Sequence, residues 1–325
     1  MPQPVPLVRV VRSGLEESVH LGHVAVCDAD GRVLASLGDP EHLLFARSSM
    51  KPLQAAVGLR HLPDLPADLV AVMCASHNAE PEHVWAVRRL LRSGGLTEAA
   101  LHCPPDLPAL ARDARAVRRP RRIYFNCSGK HAGMVVASVA AGWAPAGYLE
   151  SRHPLQRQIA RAVPRATGID RPAIGVDGCG VPVFGVPLRA MATLFARLSR
   201  PERLGSLAPS AVRAVAAMRA HPFLVAGTGR TDTVLMSEVP GVISKGGAEA
   251  LHCAAVLEPG IGVAVKITDG GDRATGPALL RALELLGAIS PEQLERLAPI
   301  ARRPVLGGGR PVGALAARFR LRRPR

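Results

Sequence analysis

Strand-like segments stand at both ends of this 325-residue chain and helical ones fill its middle. That order limits the folds open to it. Residues 7–12, 20–27 and 32–37 are apolar-rich runs, the last two joined by Asp28-Ala29-Asp30-Gly31, a turn composition. Helical spacing follows over 49–62, 81–93, 129–141, 154–167, 187–198 and 210–219. Strands return at 241–244, 251–257 and 261–268, and helices at 276–286 and 291–297 precede a short terminal strand region. A chain that begins and ends in strands closes them into one sheet, because neither half can bury its apolar face alone. The expectation is an α+β fold: an antiparallel sheet from the N- and C-terminal segments, flanked by helices, with a helical middle lobe. One domain is expected, its sheet lobe spanning about 1–45 and 220–325 and its helical lobe about 46–219.

Several function classes fall away on bulk properties. Apolar residues make up 48% of the chain, which supports a full core and excludes wholesale disorder. The longest weakly polar stretch, 134–149, is broken by Gly and Pro and is too short to span a bilayer, so no membrane role is expected. Met1-Pro2-Gln3-Pro4 lacks the charged-then-apolar order of an export signal, so a cytoplasmic location is expected. The six cysteines, at 27, 74, 103, 127, 179 and 253, are too sparse and irregular for a disulfide framework. The net charge of +15 raises nucleic acid as a partner, but the arginines are spread along the chain. Aromatic residues are only 3%, too few for base-stacking platforms. Nucleic-acid binding is therefore not expected.

The make-up of that positive charge says more than its size. Lysine occurs only at 51, 130, 245 and 266, and asparagine only at 78 and 126, whereas Arg supplies the other 37 of 41 cations. Arg cannot give up its proton in a protein; Lys can act as a neutral base or a metal ligand. The lysines that survive such a bias are candidates for positions where Arg would fail. Three of them, and both asparagines, fall inside short motifs.

The first motif is Arg47-Ser48-Ser49-Met50-Lys51-Pro52 at the start of a helical segment. Residues three apart share a helix face, so Ser48 and Lys51 can meet. A serine hydroxyl needs a base to become a nucleophile, and a lysine serves once burial or a nearby cation lowers its pKa. A helix cap at Ser48 or Ser49 would account for the same residues. The second motif is Ser76-His77-Asn78, which sets a hydroxyl beside an amide. The third is Ser244-Lys245-Gly246-Gly247, whose glycines let a ligand approach the backbone. Ser-x-x-Lys, Ser-x-Asn and Lys-x-Gly in that order are the signature set of the serine acyl-transfer enzymes that include β-lactamases. A fourth constellation pairs Asn126-Cys127-Ser128-Gly129-Lys130-His131 with Asp177-Gly178-Cys179-Gly180. Two thiolates there could hold zinc, with Lys130 as a free amine or His131 completing the set.

Together with Ala226-Gly227-Thr228-Gly229-Arg230-Thr231-Asp232-Thr233, these motifs resemble the rhizobial-type, or class 3, L-asparaginases, from about residue 5 to residue 315. The resemblance implies a fold similar to the serine β-lactamases and glutaminases, and a homodimer. It implies hydrolysis of L-asparagine to aspartate and ammonia through two Ser–Lys pairs, Ser48 with Lys51 and Ser76 with Lys245. It also implies zinc on Cys127, Lys130 and Cys179, with Arg47, His131 and Asp177 lining the same pocket. By the same resemblance Asp177 is expected to take the substrate's α-ammonium, and Arg47 or the Lys245-Gly246-Gly247 backbone its α-carboxylate. A penicillin-interacting serine hydrolase or a glutaminase is the rival expectation.

Overall fold

A computed structural model describes residues 3–323. The N-terminal strands are β1 (Val5–Arg12), β2 (Leu15–Cys27) and β3 (Val33–Leu37). The later ones are β7 (Val242–Gly247), β8 (Leu251–Val256), β9 (Ile261–Ile267), β10 (Pro304–Gly307) and β11 (Arg310–Ala317). They form one antiparallel eight-stranded sheet in the order β10-β11-β1-β2-β9-β8-β7, with β3 also paired to β2. The expected joining of the two ends is therefore present. The centre is the β2–β9 pairing, where Val24 faces Val265 and Val26 faces Val263.

Alternation along these strands divides the core into two layers. Val24, Val26, Val263 and Val265 pack under the helix Thr275–Leu285, through Ala278, Leu279, Ala282 and Leu283. Ala25, Cys27, Ala255 and Ala264 face the helical lobe, where the helix Leu188–Ser199 lies on them through Leu188, Met191, Ala192 and Phe195. Small residues on that second face let the helix sit close to the sheet.

The structure adds a second sheet that the apolar pattern does not reveal. Strands β4 (Leu43–Phe45), β5 (Ala173–Val176) and β6 (Pro182–Pro187) pair in the order β4-β6-β5 inside the helical region. β4 runs directly into Arg47-Ser48, and the β5–β6 turn carries Asp177 to Gly180. This sheet brings the first motif beside the fourth. The segment expected as a helix over 49–62 is also subdivided. Arg47–Met50 is a 3-10 turn and the α-helix spans Lys51–Leu59.

Candidate active site

Ser48 sits in that 3-10 turn, after Arg47, whose φ of 45° is unusual for a side-chain-bearing residue. The turn is tied to the edge of the large sheet, since Ser49 Oγ donates to the Lys245 carbonyl at 2.9 Å. A Cβ at Gly247 would lie 2.9 Å from Ser49 Oγ, so only glycine permits this approach of β7. On the other side, the segment from Cys74 to Glu80 is pinned at both ends. The Ser76 amide donates to the Val225 carbonyl and the Asn78 amide to the Ala226 carbonyl, each at 2.9 Å. The Asn78 side chain donates to Glu80 Oε1 and to the Thr228 carbonyl. Asn78 is therefore a brace between two loops.

A cavity of about 410 Å³ opens at this junction. Ser48, Ser76, Gly246 and Gly247 of the motifs line it. The lining also includes Asn126, Arg230, Asp232, His252, Asp272 and Arg303. The motif blocks contain Asn126, Arg230 and Asp232, but no role attaches to them from sequence. His252, Asp272 and Arg303 carry no local signal, and Arg303 is hidden by the abundance of arginine. Lys51, Asn78 and His131 are buried behind the surface, and Arg47 and Asp177 lie outside the cavity lining.

Lys51 is 1% exposed, and its ammonium nitrogen donates to Ser76 Oγ at 2.8 Å and to the Ala75 carbonyl at 2.5 Å. Its direct serine neighbour is thus Ser76, the one expected to pair with Lys245. Burial, aided by the charge on Lys130, lowers the Lys51 pKa although Cys127 opposes the shift. Lys245 is fully buried and lies 3.4 Å from Asp232 Oδ2, while it donates to the Gly246 carbonyl at 2.7 Å. Burial outweighs the Asp232 carboxylate, and with Lys51 and Arg230 lowers the Lys245 pKa to about 8. Asp232 is the hub of this corner. It accepts from Ser244 Oγ at 2.7 Å and from the Gly246 amide at 3.0 Å, and it lies 2.7 Å from His252 Nε2. Burial works against its charge, but Lys245 and His252 hold its pKa well below the carboxylate range.

The fourth constellation assembles one layer deeper, on the helix Ser128–Ala140. A Cβ at Gly129 would fall 2.2 Å from the Val72 carbonyl, so this glycine lets the helix seat against Ala67–Met73. Lys130 Nζ then meets Cys179 Sγ at 2.8 Å, and Cys179 Sγ is 3.6 Å from Asp177 Oδ2. A hydrogen bond from Cys179 drives the Cys127 thiol pKa well down despite burial, whereas the Cys179 thiol is pushed up. Burial opposes the charge on Lys130, but the two thiols outweigh it and raise its pKa. Arg47 Nε donates to Asp177 Oδ1 at 2.7 Å, so these two side chains satisfy each other. His131 accepts or donates at Nδ1 to Tyr148 Oη at 2.7 Å, while its buried Nε2 has no partner among the described residues.

Among the described residues no three His, Cys, Asp or Glu side chains are arranged to hold a metal. The third neighbour of the two cysteines is a lysine, which ligates only as a free amine. Lys130 Nζ in contact with Cys179 Sγ, Cys127 within hydrogen-bonding reach of Cys179, and the neighbouring His131 with a buried imidazole nitrogen that has no partner among the described residues nonetheless fit the borderline-soft donor set of zinc.

Solved structures with related folds are remote. A β-lactamase from Mycobacterium bovis matches with 18% identity and a TM-score of 0.40, over 82% of this chain and 94% of that one. A glutaminase from Bacillus subtilis, in covalent complex with 5-oxo-L-norleucine, matches with 14% identity and a TM-score of 0.38, over 85% and 92%. Among curated proteins none matches the chain in sequence. The family comparison is decisive: L-asparaginase II matches residues 8–317, from the first strand of the sheet to the last, and so takes in every cavity residue described above. A match of that extent makes the chain an amidohydrolase of the L-asparaginase II family.

Proposed function

We propose that the protein hydrolyses L-asparagine to L-aspartate and ammonia through an ester on Ser48. One observation carries the reading: two serine hydroxyls line a single cavity, and one of them accepts a hydrogen bond from a buried lysine of lowered pKa. A neutral amine has two hydrogens and one lone pair. With the hydrogens directed to the Ala75 carbonyl and Ser76 Oγ, the lone pair of Lys51 is free to take the Ser48 proton. Ser48 Oγ then bonds to the side-chain amide carbon. The C–N bond breaks as the nitrogen gains a proton relayed through Ser76 and Lys245, and ammonia leaves. Water attacks the resulting ester and frees aspartate.

The 2.8 Å contact between Lys51 and Ser76 favours a second reading, in which Ser76 attacks and Ser48 relays. Alanine at each serine distinguishes the two. In either case Cys127, Lys130 and Cys179 would hold zinc, which when bound supplies a Lewis acid able to orient the substrate. The family resemblance adds that the enzyme works as a homodimer, and a cytoplasmic location is part of the same proposal. No helix among the described residues is long and apolar enough to cross a membrane. Ammonia release from a panel of free and blocked amides tests the whole reading. Preference for a β-lactam over asparagine would replace it with a penicillin-interacting hydrolase, and preference for glutamine with a glutaminase.

A further inference from the structure

A free amino acid carries an α-carboxylate and an α-ammonium, and a site that selects it must give each a partner. Arg47 and Asp177 have the right charges but are spent on one another at 2.7 Å, and neither lines the cavity. Besides Asp232, three charged side chains do line it. Arg230, at the N-terminus of the helix Thr231–Glu238, Asp272, just before the helix Thr275–Leu285, and Arg303, just before β10, all face the space that Ser48 and Ser76 share. All three are exposed, and none makes a side-chain hydrogen bond or ion pair with the described residues. The other charged carboxylate of the cavity, Asp232, is paired with Lys245 and lies against His252, which leaves these three as the cavity's charges without a described partner. Arg230 is also close enough for its charge to act on both Lys245 and His77, which puts it near the reacting groups.

We propose that Arg230, with Arg303, clamps the α-carboxylate of the substrate, and that Asp272 takes its α-ammonium. This rests on the asparaginase reading and makes it specific: the substrate is a free α-amino acid amide, and a blocked or truncated one lacks a required handle.

Two analogues separate the handles. Succinamate keeps the carboxylate and the amide but lacks the ammonium; 3-aminopropanamide keeps the ammonium and the amide but lacks the carboxylate. Arg230→Gln should raise KM about 10- to 100-fold on asparagine and on succinamate, with kcat little changed, and leave 3-aminopropanamide unaffected. Asp272→Asn should do the reverse: a loss on asparagine and on 3-aminopropanamide, none on succinamate. Arg47→Gln and Asp177→Asn are run beside them, with thermal unfolding as the control for folding. Equal losses on both analogues, or the analogue-specific pattern at Arg47 and Asp177, would overturn the assignment. The wild-type protein reports separately on the parent reading. If it releases no ammonia from asparagine, the asparaginase reading fails and this clamp with it; if it does and the variants lack the pattern, only the clamp fails.

Discussion

Lys51 Nζ lies 2.8 Å from Ser76 Oγ, so the base that sequence spacing assigns to Ser48 is in contact with the other serine. Both hydroxyls line the cavity, and one experiment ranks them. Ser48→Ala should lower kcat by about 10⁴-fold or more, as removing a nucleophile does in serine enzymes. Ser76→Ala should cost about 10²-fold, the scale of losing a proton relay. Steady-state ammonia release with thermal unfolding as a control decides it. The reverse ranking would transfer the nucleophile to Ser76.

The difference between spacing and contact shows what could be read from sequence. The helices Pro81–Ser93 and Pro154–Thr167 begin and end where their residues say, because Pro opens each and Gly94 or Gly168 closes it. The two-ended sheet is legible from the apolar-rich runs of β2 and β9, which are buried almost continuously. β4, β5 and β6 are not, because they are three to six residues long, Ile174 and Val176 of β5 are exposed, and Pro182 and Gly185 interrupt β6. Strands that short carry no periodicity. Yet they decide which groups meet, since they carry Arg47 to Asp177. The motifs locate Ser48, Ser76, Lys245 and the cysteine pair; their partners depend on packing, and the direction of the Lys51 side chain is such a case.

The scarcity of lysine makes a second test. Lys51→Arg and Lys245→Arg keep the positive charge, lose the titratable amine, and must fit a larger planar group into a fully buried position. Each should lose about 10²- to 10⁴-fold in kcat/KM. Lys266 is half-buried in β9, where it donates to the Glu249 carbonyl, outside the cavity lining. Lys266→Arg should keep activity within a few-fold of wild type. Equal tolerance at all three positions would make the composition bias an accident.

Zinc can be read without any assay of turnover. Protein purified without chelator should carry near-stoichiometric zinc by elemental analysis, and Cys127→Ser combined with Cys179→Ser should lose it. Lys130→Arg should lose it too, because a guanidinium cannot become a free amine. Removing the metal should also lower the unfolding temperature, since an ion bound only by the folded chain stabilises it by mass action. Zinc-free protein with unchanged unfolding would leave the Lys130–Cys179 contact as a packing feature.

The pH profile follows from the Lys245–Asp232 pair. Lys245 titrates at about 8 in the folded chain against an ordinary value of 10.5. As a relay it must be neutral to receive the proton it passes to the leaving nitrogen, so kcat/KM should rise with pH through about 8. Asp232 is the main group holding that pKa up against burial. Asp232→Asn removes its charge but keeps one acceptor oxygen for Ser244, His252 and the Gly246 amide, so the Lys245 pKa falls and the acid limb moves to lower pH. Breaking a buried pair costs about 3–5 kcal/mol, so the profile belongs below the variant's lowered unfolding temperature. Stability gives the sign independently. Between about 8 and 10.5 the unfolded chain binds more protons at Lys245 than the folded one, so this group's contribution to stability rises with pH across that window. Asp232 acts at the other end: its pKa lies well below 3.8, so the stability it contributes is present above that value and is lost as pH falls further. An acid limb that stays near pH 8 in Asp232→Asn would remove Lys245 from the proton path and leave the titration to Lys51.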